Sequence, residues 1–218
     1  MFDIAILGAG AVGTALAQNW SRKGHKVTLA VRDTKSESAK VARTRLGDTV
    51  KFLDFASAIS AAEIIVVALP WTAIANVLPT LVGLDGKIVI DATNPLGMTA
   101  DGFGLVLGHT TSGGEEVARF LTGARVVKSL NQIGAEILAD PSALPSVPVM
   151  FVAGDDDEAR ATTLSLVQDL GFEALDFGPL KGARLLEAFA ITWIHMAVIQ
   201  KTGRAWGFVR SVSEGAAV

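Results

Sequence analysis

Short, almost entirely apolar runs alternate along the chain with segments whose apolar residues recur at helical spacing. Runs that are apolar on both faces are typical of buried parallel strands covered by helices on each side. The second half of the chain repeats this pattern more loosely. The runs are DIAILG (3–8), VTLAV (27–31), IIVVALP (64–70), KIVID (87–91), ARVVKSLN (124–131), PVMFVAG (148–154) and FEALDFG (172–178).

This alternation predicts an α/β fold of the Rossmann type, a doubly wound, mostly parallel sheet followed by a smaller C-terminal α/β part. We place the division at 1–124 and 125–218. Helices are predicted over 156–170 and 182–202, the second ending near Gly203. The stretch 94–114, rich in Gly and Thr, is the best candidate for a mobile loop.

Composition removes several classes of chemistry. The chain has 218 residues, 50% of them hydrophobic, which is enough to bury a sizeable core. It contains no cysteine, which excludes thiol catalysis and thiolate metal sites, and no tyrosine, which excludes dehydrogenases that use a tyrosine as proton donor. The formal net charge of -3 gives no basic field for nucleic acid or an anionic membrane, so neither partner is expected.

Neither end of the chain predicts a targeting or membrane segment. FDIAILGAG follows Met1 with no basic stretch before it and is interpreted as a buried strand, not as a signal peptide. The apolar run 185–199 carries Glu187 and His195 and is interpreted as a core helix, too short and too polar to span a bilayer. We therefore expect a cytoplasmic protein.

Three glycines follow the first predicted strand with the spacing G-x-G-x-x-G. Gly8 can form the tight turn, Gly10 lets the backbone approach a pyrophosphate, and Gly13 lets the following helix pack closely on the sheet. The free amide groups of that helix N-terminus, around Ala9, Ala11 and Val12, favour an anion. The motif predicts a dinucleotide site.

The end of the second strand indicates which dinucleotide binds. The position that usually carries an acidic residue in NAD enzymes is Val31, which cannot accept hydrogen bonds from ribose hydroxyls. Arg32 follows, with Lys35 and Ser36 close behind, and a guanidinium suits a 2′-phosphate. The sequence favours NADP(H), although a shift of one position would place Asp33 where NAD requires a carboxylate.

The carboxyl ends of the other strands should line the same crevice. These ends are predicted to form the walls of a nicotinamide pocket, although Trp71 could equally be a packing residue at a helix start. The residues are Leu69, Pro70, Trp71, Ala92, Thr93, Asn94, Pro95, Asn131, Gln132 and Ile133.

No catalytic residue and no metal ligand is assigned. His25 falls in a turn far from this edge, His109 in the glycine-rich loop, and His195 inside the last helix as a half-buried packing residue. The acids 155–158 open a helix, and Ser112 with Glu115 has capping-box spacing, so capping is their expected role.

Together these segments resemble the NADP-dependent coenzyme F-420 (deazaflavin) reductases, over essentially the whole chain. Similar domains form the NADPH-oxidising part of six-transmembrane metalloreductases. The matching segments are GAGAVG, GHKVTLAVR, VVALPW, KIVIDATNPL, VVKSLNQIGAE, PVMFVAGDD, FGPLKGARLLE and GRAWGFV.

The resemblance implies an NADP-binding domain (1–124), a smaller acceptor-binding and dimerisation part (125–218), and a homodimer. It implies that residues 9–12, Arg32, Lys35 and Ser36 hold NADP(H), and that Ile133, with Ala135 nearby, packs close to two stacked rings. Such enzymes pass hydride directly between ring carbons, so positioning supplies the catalysis. The acceptor is a small molecule: deazaflavin, FAD or FMN, or a small quinone-like compound.

Two other functions stay open at this stage. One is an NADP(H)-binding sensor or regulatory module without turnover, although no basic segment or partner-binding tail is present. The other is a β-hydroxyacid or imine dehydrogenase, but those enzymes append a long helical domain, and only one helix's worth of chain follows residue 181.

Overall fold

The computed structural model describes residues 1–213. Ten strands are present in this part of the chain: Asp3–Leu7 (β1), Lys26–Ala30 (β2), Lys51–Leu53 (β3), Ile64–Val67 (β4), Ile88–Asp91 (β5), Leu96–Thr99 (β6), Gly102–Leu105 (β7), Arg125–Lys128 (β8), Val149–Gly154 (β9) and Glu173–Asp176 (β10). The α-helices are Ala11–Arg22 (α1), Glu37–Leu46 (α2), Phe55–Ala61 (α3), Trp71–Val77 (α4), Gly113–Phe120 (α5), Ala135–Ala139 (α6), Asp157–Leu170 (α7) and Ala183–Ile194 (α8).

Eight strands form one sheet in the order β10-β9-β8-β5-β4-β1-β2-β3. All neighbours run parallel except β8 and β9, which are antiparallel. The chain leaves β1 toward β2 and β3 on one side and later returns to β4 on the other. The carboxyl ends of β1 and β4 therefore flank the point where a ligand is expected in such sheets. The predicted Rossmann-type fold is confirmed.

Alternating side chains of each strand pack into two cores, one on each face of the sheet. Ile4 and Ile6 belong to the core that contains Leu16 and Trp20 of α1, and Ala5 and Leu7 belong to the opposite core. This explains why the strand sequences are apolar on both faces.

The C-terminal part shares the sheet and one core with the N-terminal part. The Trp20 indole donates to the Leu166 carbonyl (3.0 Å), and the Asn19 amide donates to the carbonyls of Leu138 and Leu170 (3.1 and 3.0 Å). Because the sheet continues from β5 to β8, the division at 124/125 separates no sheet or core, and two domains stay a prediction.

The segment 94–114, predicted as a mobile loop, contains regular structure, and its mobility stays a prediction. It contains an antiparallel hairpin in which Leu96 pairs with Leu105 and Met98 with Phe103. Glycines at 97, 102 and 104 lower strand propensity and conceal the alternation. β3, three residues long, also gave no apolar run.

Helix α7 begins and ends as predicted, with the Asp156 side chain accepting from the Ala159 N–H and Gly171 in the left-handed conformation. The last helix differs, because α8 continues as a π-helix over His195–Ile199. The whole stretch Leu180–Ile199 has 20 residues and a mean hydropathy of 1.3. By length and composition alone it could cross a membrane, contrary to the expectation, although core helices of soluble proteins meet the same criterion.

Two of the three histidines lie as expected. His25 is buried in its turn, where Nδ1 accepts from the Phe2 N–H (3.2 Å) and Nε2 faces Asp169 (3.1 Å). His109 is exposed in its loop. His195 is exposed, not half-buried as predicted, and it is the first residue of the π-helical segment.

Candidate functional site

The glycine turn after β1 leaves the N-terminus of α1 open. No side chain caps α1 at Gly10, and its first turn carries no acidic residue. The first amide groups of a helix have no intrahelical partner, and the helix dipole places partial positive charge there. This end of α1 is suited to an anion.

Each of the three glycines has a distinct steric role. Gly8 has φ +116°, and an added Cβ would lie 2.6 Å from the Ala68 carbonyl oxygen. A Cβ on Gly13 would lie 2.1 Å from the Gly8 carbonyl oxygen, so α1 packs against the turn at a distance only glycine permits. A Cβ on Gly10 would meet nothing within 4 Å, since this position faces open space. The turn therefore fits a pyrophosphate that approaches the backbone at Gly10.

A cleft of about 890 Å³ runs along the carboxyl ends of β1, β2, β4 and β5. Its walls come from the turns after these strands, the start of α4, the first residue of α3 and the hairpin. The lining residues are Gly8, Ala9, Gly10, Ala11, Val12, Ala30, Val31, Arg32, Asp33, Ser36, Ser38, Phe55, Ala68, Leu69, Pro70, Trp71, Thr72, Ala92, Thr93, Asn94, Leu96 and Phe103.

The end of the cleft beside β2, which we call the adenosine half (Ala30–Ser38), carries its charged residues. Val31 is buried and Arg32 is exposed immediately after it. One carboxylate oxygen of Asp33 accepts from the Lys35 N–H (2.8 Å), closing the turn before α2. The Ser36 hydroxyl accepts from the Ala39 N–H (3.4 Å) and caps α2.

The other end, which we call the ring half, is built by the residues after β4 and β5 and by the hairpin. Trp71 begins α4, and Leu96 and Phe103 belong to the hairpin. Of the described residues that line the ring half, none carries an ionisable side chain; they are Ala68, Leu69, Pro70, Trp71, Thr72, Ala92, Thr93, Asn94, Leu96 and Phe103. This half can enclose an apolar ring but offers no proton donor of its own.

Most of the residues predicted from sequence line this cleft, and seven do not: Gly13, Lys35, Pro95, Asn131, Gln132, Ile133 and Ala135. Gly13 packs beneath the turn, Lys35 is exposed outside the cleft, and Pro95 is buried near the start of α5. Ile133 is buried against Gly207, where an added Cβ would lie 2.7 Å from Ile133. Ala135 begins α6 in the core. The roles of the predicted residues toward a cofactor stay predictions.

A buried charge cluster beneath the ring half was not identified from sequence. The side chains of Lys128, Asp91 and Glu187 are 0%, 0% and 1% exposed. The Lys128 ammonium lies 2.9 Å from Asp91 Oδ2 and 2.8 Å from Glu187 Oε1. Lys128 and Asp91 end neighbouring parallel strands, whereas Glu187 comes from α8. No local motif joins these three positions in the sequence.

The cluster keeps Lys128 charged. Burial alone would lower the pKa of the Lys128 ammonium, but the charges and hydrogen bonds of Asp91 and Glu187 outweigh burial and raise it above its ordinary value. Glu187 also accepts from the N–H groups of Gly113 and Gly114 (2.8 and 3.0 Å), which joins α8 to the first turn of α5.

Side-chain amides connect the turns after β5 and β8. The Asn94 amide donates to the Asn131 carbonyl (2.8 Å), and the Asn131 amide donates to Asn94 Oδ1 (2.9 Å). Between them Leu130 is buried with φ +62°, a conformation that bulky residues rarely adopt. Asn94 lines the cleft, but Asn131 and Gln132, which were predicted as walls of the same crevice, do not; both are buried and hydrogen-bonded to neighbouring groups.

Metal chemistry finds no support in the described side chains. Among residues 1–213, no group of three or more histidine, aspartate or glutamate side chains could hold a metal ion. The predicted capping roles are confirmed for Ser112, whose hydroxyl accepts from the Glu115 N–H (3.1 Å), and for Asp156.

Comparison with known proteins is consistent with this geometry. A family described as NADP oxidoreductase coenzyme F420-dependent matches residues 3–95. A crystal structure of a protein from Arthrobacter sp. FB24, provisionally described as an F420-dependent NADP-reductase, is 28% identical, covers 97% of this chain and 100% of its own, and superposes with a TM-score of 0.86. A hypothetical protein from Sinorhizobium meliloti is 30% identical over 84% of this chain and 88% of its own, with a TM-score of 0.73.

Curated relatives match a shared portion of longer proteins. Glycerol-3-phosphate dehydrogenase [NAD(P)+] from Azotobacter vinelandii is 38% identical over 116 residues, 47% of this chain and 33% of its own length. Metalloreductase STEAP3 from Rattus norvegicus is 28% identical over 190 residues, 86% of this chain and 36% of its own length. The chain thus spans about a third of the length of these relatives. By its dinucleotide-binding fold, its glycine turn and these matches, the chain is similar to the NADP oxidoreductases described as coenzyme F420-dependent, and the match to that family lies in residues 3–95.

Proposed function

We propose that the protein is an NADPH-dependent oxidoreductase that transfers hydride directly between NADP(H) and a deazaflavin (coenzyme F-420) or flavin-like acceptor. One observation carries the proposal: a single cleft joins an anion-accepting glycine turn, an arginine beside β2, and a ring half lined without ionisable side chains. When bound, the nicotinamide supplies the hydride. The chain supplies position and exclusion of water.

The adenosine half supports NADP(H) over NAD(H). Arg32 is exposed at the cleft and free to meet a 2′-phosphate, whereas the preceding Val31 offers no acceptor for ribose hydroxyls. Asp33 uses one carboxylate oxygen to close its own turn, which favours Arg32 as the residue that faces the ligand. We expect Ser36 and the N-terminus of α2 to add donors for the same phosphate.

The ring half supports a ring-to-ring transfer without acid–base catalysis. Dehydrogenases that reduce carbonyl or imine groups need a group that delivers a proton to the product. The described lining of the ring half offers hydroxyl, amide and indole groups only. Hydride transfer between stacked rings makes no such demand, so we assign no catalytic residue.

The acceptor that fits best is planar and uncharged where it contacts the protein. Leu96 and Phe103 line the cleft from one face of the hairpin, and Trp71 adds an aromatic wall. A small sugar phosphate would bring its phosphate beside the reacting carbon and so would need lysine or arginine in the ring half, and the described lining has neither. FMN, FAD and coenzyme F-420 carry their phosphate on a side chain remote from the reacting ring. A small-molecule acceptor of the deazaflavin, FMN or FAD type therefore suits this surface better than a sugar phosphate.

We propose a cytoplasmic homodimer as the working form. Four large apolar side chains of the last helix, Leu185, Met196, Val198 and Ile199, are exposed. Several large apolar side chains exposed along one helical stretch are typical of a subunit interface. A second copy of the chain is its proposed occupant, in agreement with the dimer that the family resemblance implies.

The test follows NADPH absorbance with the purified chain and a panel of acceptors. The panel contains coenzyme F-420, FMN, FAD and a quinone. Dihydroxyacetone phosphate, a sugar phosphate whose phosphate lies next to its carbonyl group, is the control. We expect oxidation with F-420 or a flavin and none with dihydroxyacetone phosphate. Tight NADPH binding without oxidation by any acceptor would instead favour a sensor without turnover. Oxidation of NADPH only by dihydroxyacetone phosphate would overturn the proposed acceptor class.

A further inference from the structure

The Lys128 ammonium donates a hydrogen bond to the backbone of the cleft wall and also pairs with two carboxylates. Besides Asp91 and Glu187, it donates to the Thr93 carbonyl oxygen at 2.6 Å. The other carboxylate oxygen of Asp91 accepts from the Thr93 N–H at 2.9 Å. Both backbone polar atoms of Thr93 are therefore held by charged side chains with almost no exposure to solvent.

Charge-assisted hydrogen bonds of this kind are strong and directional. They hold the backbone of Thr93, which lines the ring half between Ala92 and Asn94. The Thr93 side-chain hydroxyl, Oγ1, is buried and is the one such side-chain atom without a hydrogen-bond partner among the described residues. The turn is thus fixed through its backbone from below.

The arm of the cluster that involves Glu187 acts elsewhere. Glu187 accepts hydrogen bonds from the N–H groups of Gly113 and Gly114 and pairs with Lys128, so it joins α8 to α5 and bonds to neither backbone polar atom of Thr93. One lysine therefore serves two distinct sets of bonds. Substitutions that separate them can distinguish a role in positioning from a role in folding.

We propose that Lys128, together with Asp91, is a positioning residue for the nicotinamide half of the bound dinucleotide. By fixing the Thr93 peptide, the pair holds the wall against which the nicotinamide ring must lie, and so sets how tightly that half binds and how it is presented to the acceptor. The inference rests on the proposed function, because it requires a nicotinamide dinucleotide in the cleft.

Three buried ionisable side chains could instead serve stability alone. Breaking one partner of a buried pair leaves an uncompensated charge, whereas neutralising every partner is often tolerated. A purely structural role predicts a loss of stability with equal effects on all ligands. A positioning role predicts a selective loss for ligands that carry the nicotinamide.

The test uses two ligands of the whole chain: NADPH, and 2′,5′-ADP, which contains the adenosine half only. The main variant combines Lys128→Met, Asp91→Asn and Glu187→Gln, which removes all three charges while keeping side-chain size. We expect the NADPH dissociation constant to rise at least about tenfold, while that of 2′,5′-ADP changes less than about twofold.

Two control variants accompany it. Lys87→Met removes a lysine that grips the carbonyls of Ile59 and Ala62 (2.8 and 2.5 Å) just before β5, away from the cleft. It should lower stability and leave both dissociation constants unchanged. Glu187→Gln alone should also lower stability and leave both dissociation constants unchanged, since the hydrogen bonds that join Lys128 and Asp91 to Thr93 remain.

Asp91→Asn alone gives a second, milder test. It should again weaken binding of NADPH more than binding of 2′,5′-ADP. The proposal is overturned if a folded variant binds NADPH and 2′,5′-ADP as the wild type does, or if its affinity falls equally for both ligands. Failure of both the triple variant and Asp91→Asn to fold would show that the cluster is structural and would also overturn it. If the wild-type chain binds 2′,5′-ADP but not NADPH, or neither ligand, the proposed function itself fails.

Discussion

Arg32 determines the expected choice of cofactor at the scale of one side chain. Arg32→Ala should weaken NADPH binding by about 10- to 100-fold, because a charge-assisted contact to the 2′-phosphate is lost. NADH binding should change little, since NADH has no such phosphate. Dissociation constants for both nucleotides in both proteins measure this. Unchanged NADPH binding in the variant would remove the argument for NADP(H).

The three glycines of the turn should respond differently to the same added methyl group. Gly10→Ala should fold with unchanged stability, because its Cβ would face open space, yet bind NADPH at least about tenfold more weakly by obstructing the pyrophosphate.

Gly13→Ala is the contrasting variant. Its Cβ would lie 2.1 Å from the Gly8 carbonyl oxygen, so it should destabilise the fold by a few kcal/mol, on the order of an overpacked core site. Urea denaturation and NADPH titration of both variants separate the two effects. A Gly10→Ala protein that binds NADPH normally would contradict the placement of the pyrophosphate.

Individual residues also show where sequence analysis reaches its limit. The glycine turn and Arg32 were identified because each belongs to a short local motif: three glycines that begin directly after β1, and an arginine just after β2. Lys128 and Glu187 were not identified, because no motif surrounds either residue and they meet only when α8 packs on the sheet. Glu187 is the single acidic side chain in the apolar run 185–199, and that isolation is the signal that could have drawn attention to it.

At the scale of elements, α5 and α8 are joined by a surface pair as well as by the buried cluster. The Arg184 guanidinium donates to both carboxylate oxygens of Glu115 (2.8 and 2.7 Å). Hydrogen bonds from Arg184, and then from Ser112, lower the pKa of the Glu115 carboxyl below its usual value, more than partial burial raises it. The ionised form of Glu115 therefore stabilises the folded state.

Glu115→Gln should lower the free energy of unfolding by at most about 1 kcal/mol at neutral pH, because the pair is partly screened by solvent. A carboxyl whose folded pKa is depressed contributes stability above its unfolded value and loses it as pH falls through the folded value. The difference between variant and wild type should therefore shrink below pH 4.5.

Urea denaturation across that acid range measures the Glu115 effect. Glu116→Gln is the matched control, since Glu116 pairs with Arg119 within one helix and should matter less. A Glu115→Gln difference that is as large in acid as at neutral pH would contradict the role given to the ionised pair.

Elements with a regular apolar pattern were predictable, and those without one were not. The buried strands and α7 follow from period and capping residues. The hairpin over Leu96–Leu105 was missed because glycine occupies one of its faces, and the π-helical turn at His195–Ile199 leaves no mark in the sequence. The hairpin supplies part of the ring half, so the acceptor side was the less predictable end of the site.

At the scale of the whole molecule, the exposed apolar face of the last helix predicts a dimer. Sedimentation equilibrium should give twice the mass of the chain. Leu185→Asp combined with Val198→Asp should give the monomer, because burying two carboxylates in an apolar interface is costly. Val82→Asp, at an exposed apolar position outside that helix, should stay dimeric. A monomeric wild-type chain would contradict the proposed assembly.

Binding of the dinucleotide is the claim on which the whole account depends. Calorimetric titration of the full chain with NADPH, and separately with NADH, tests it most directly. We predict one NADPH bound per chain, at least about tenfold more tightly than NADH. Equal or tighter binding of NADH, or no binding of either nucleotide at millimolar concentration, would contradict it.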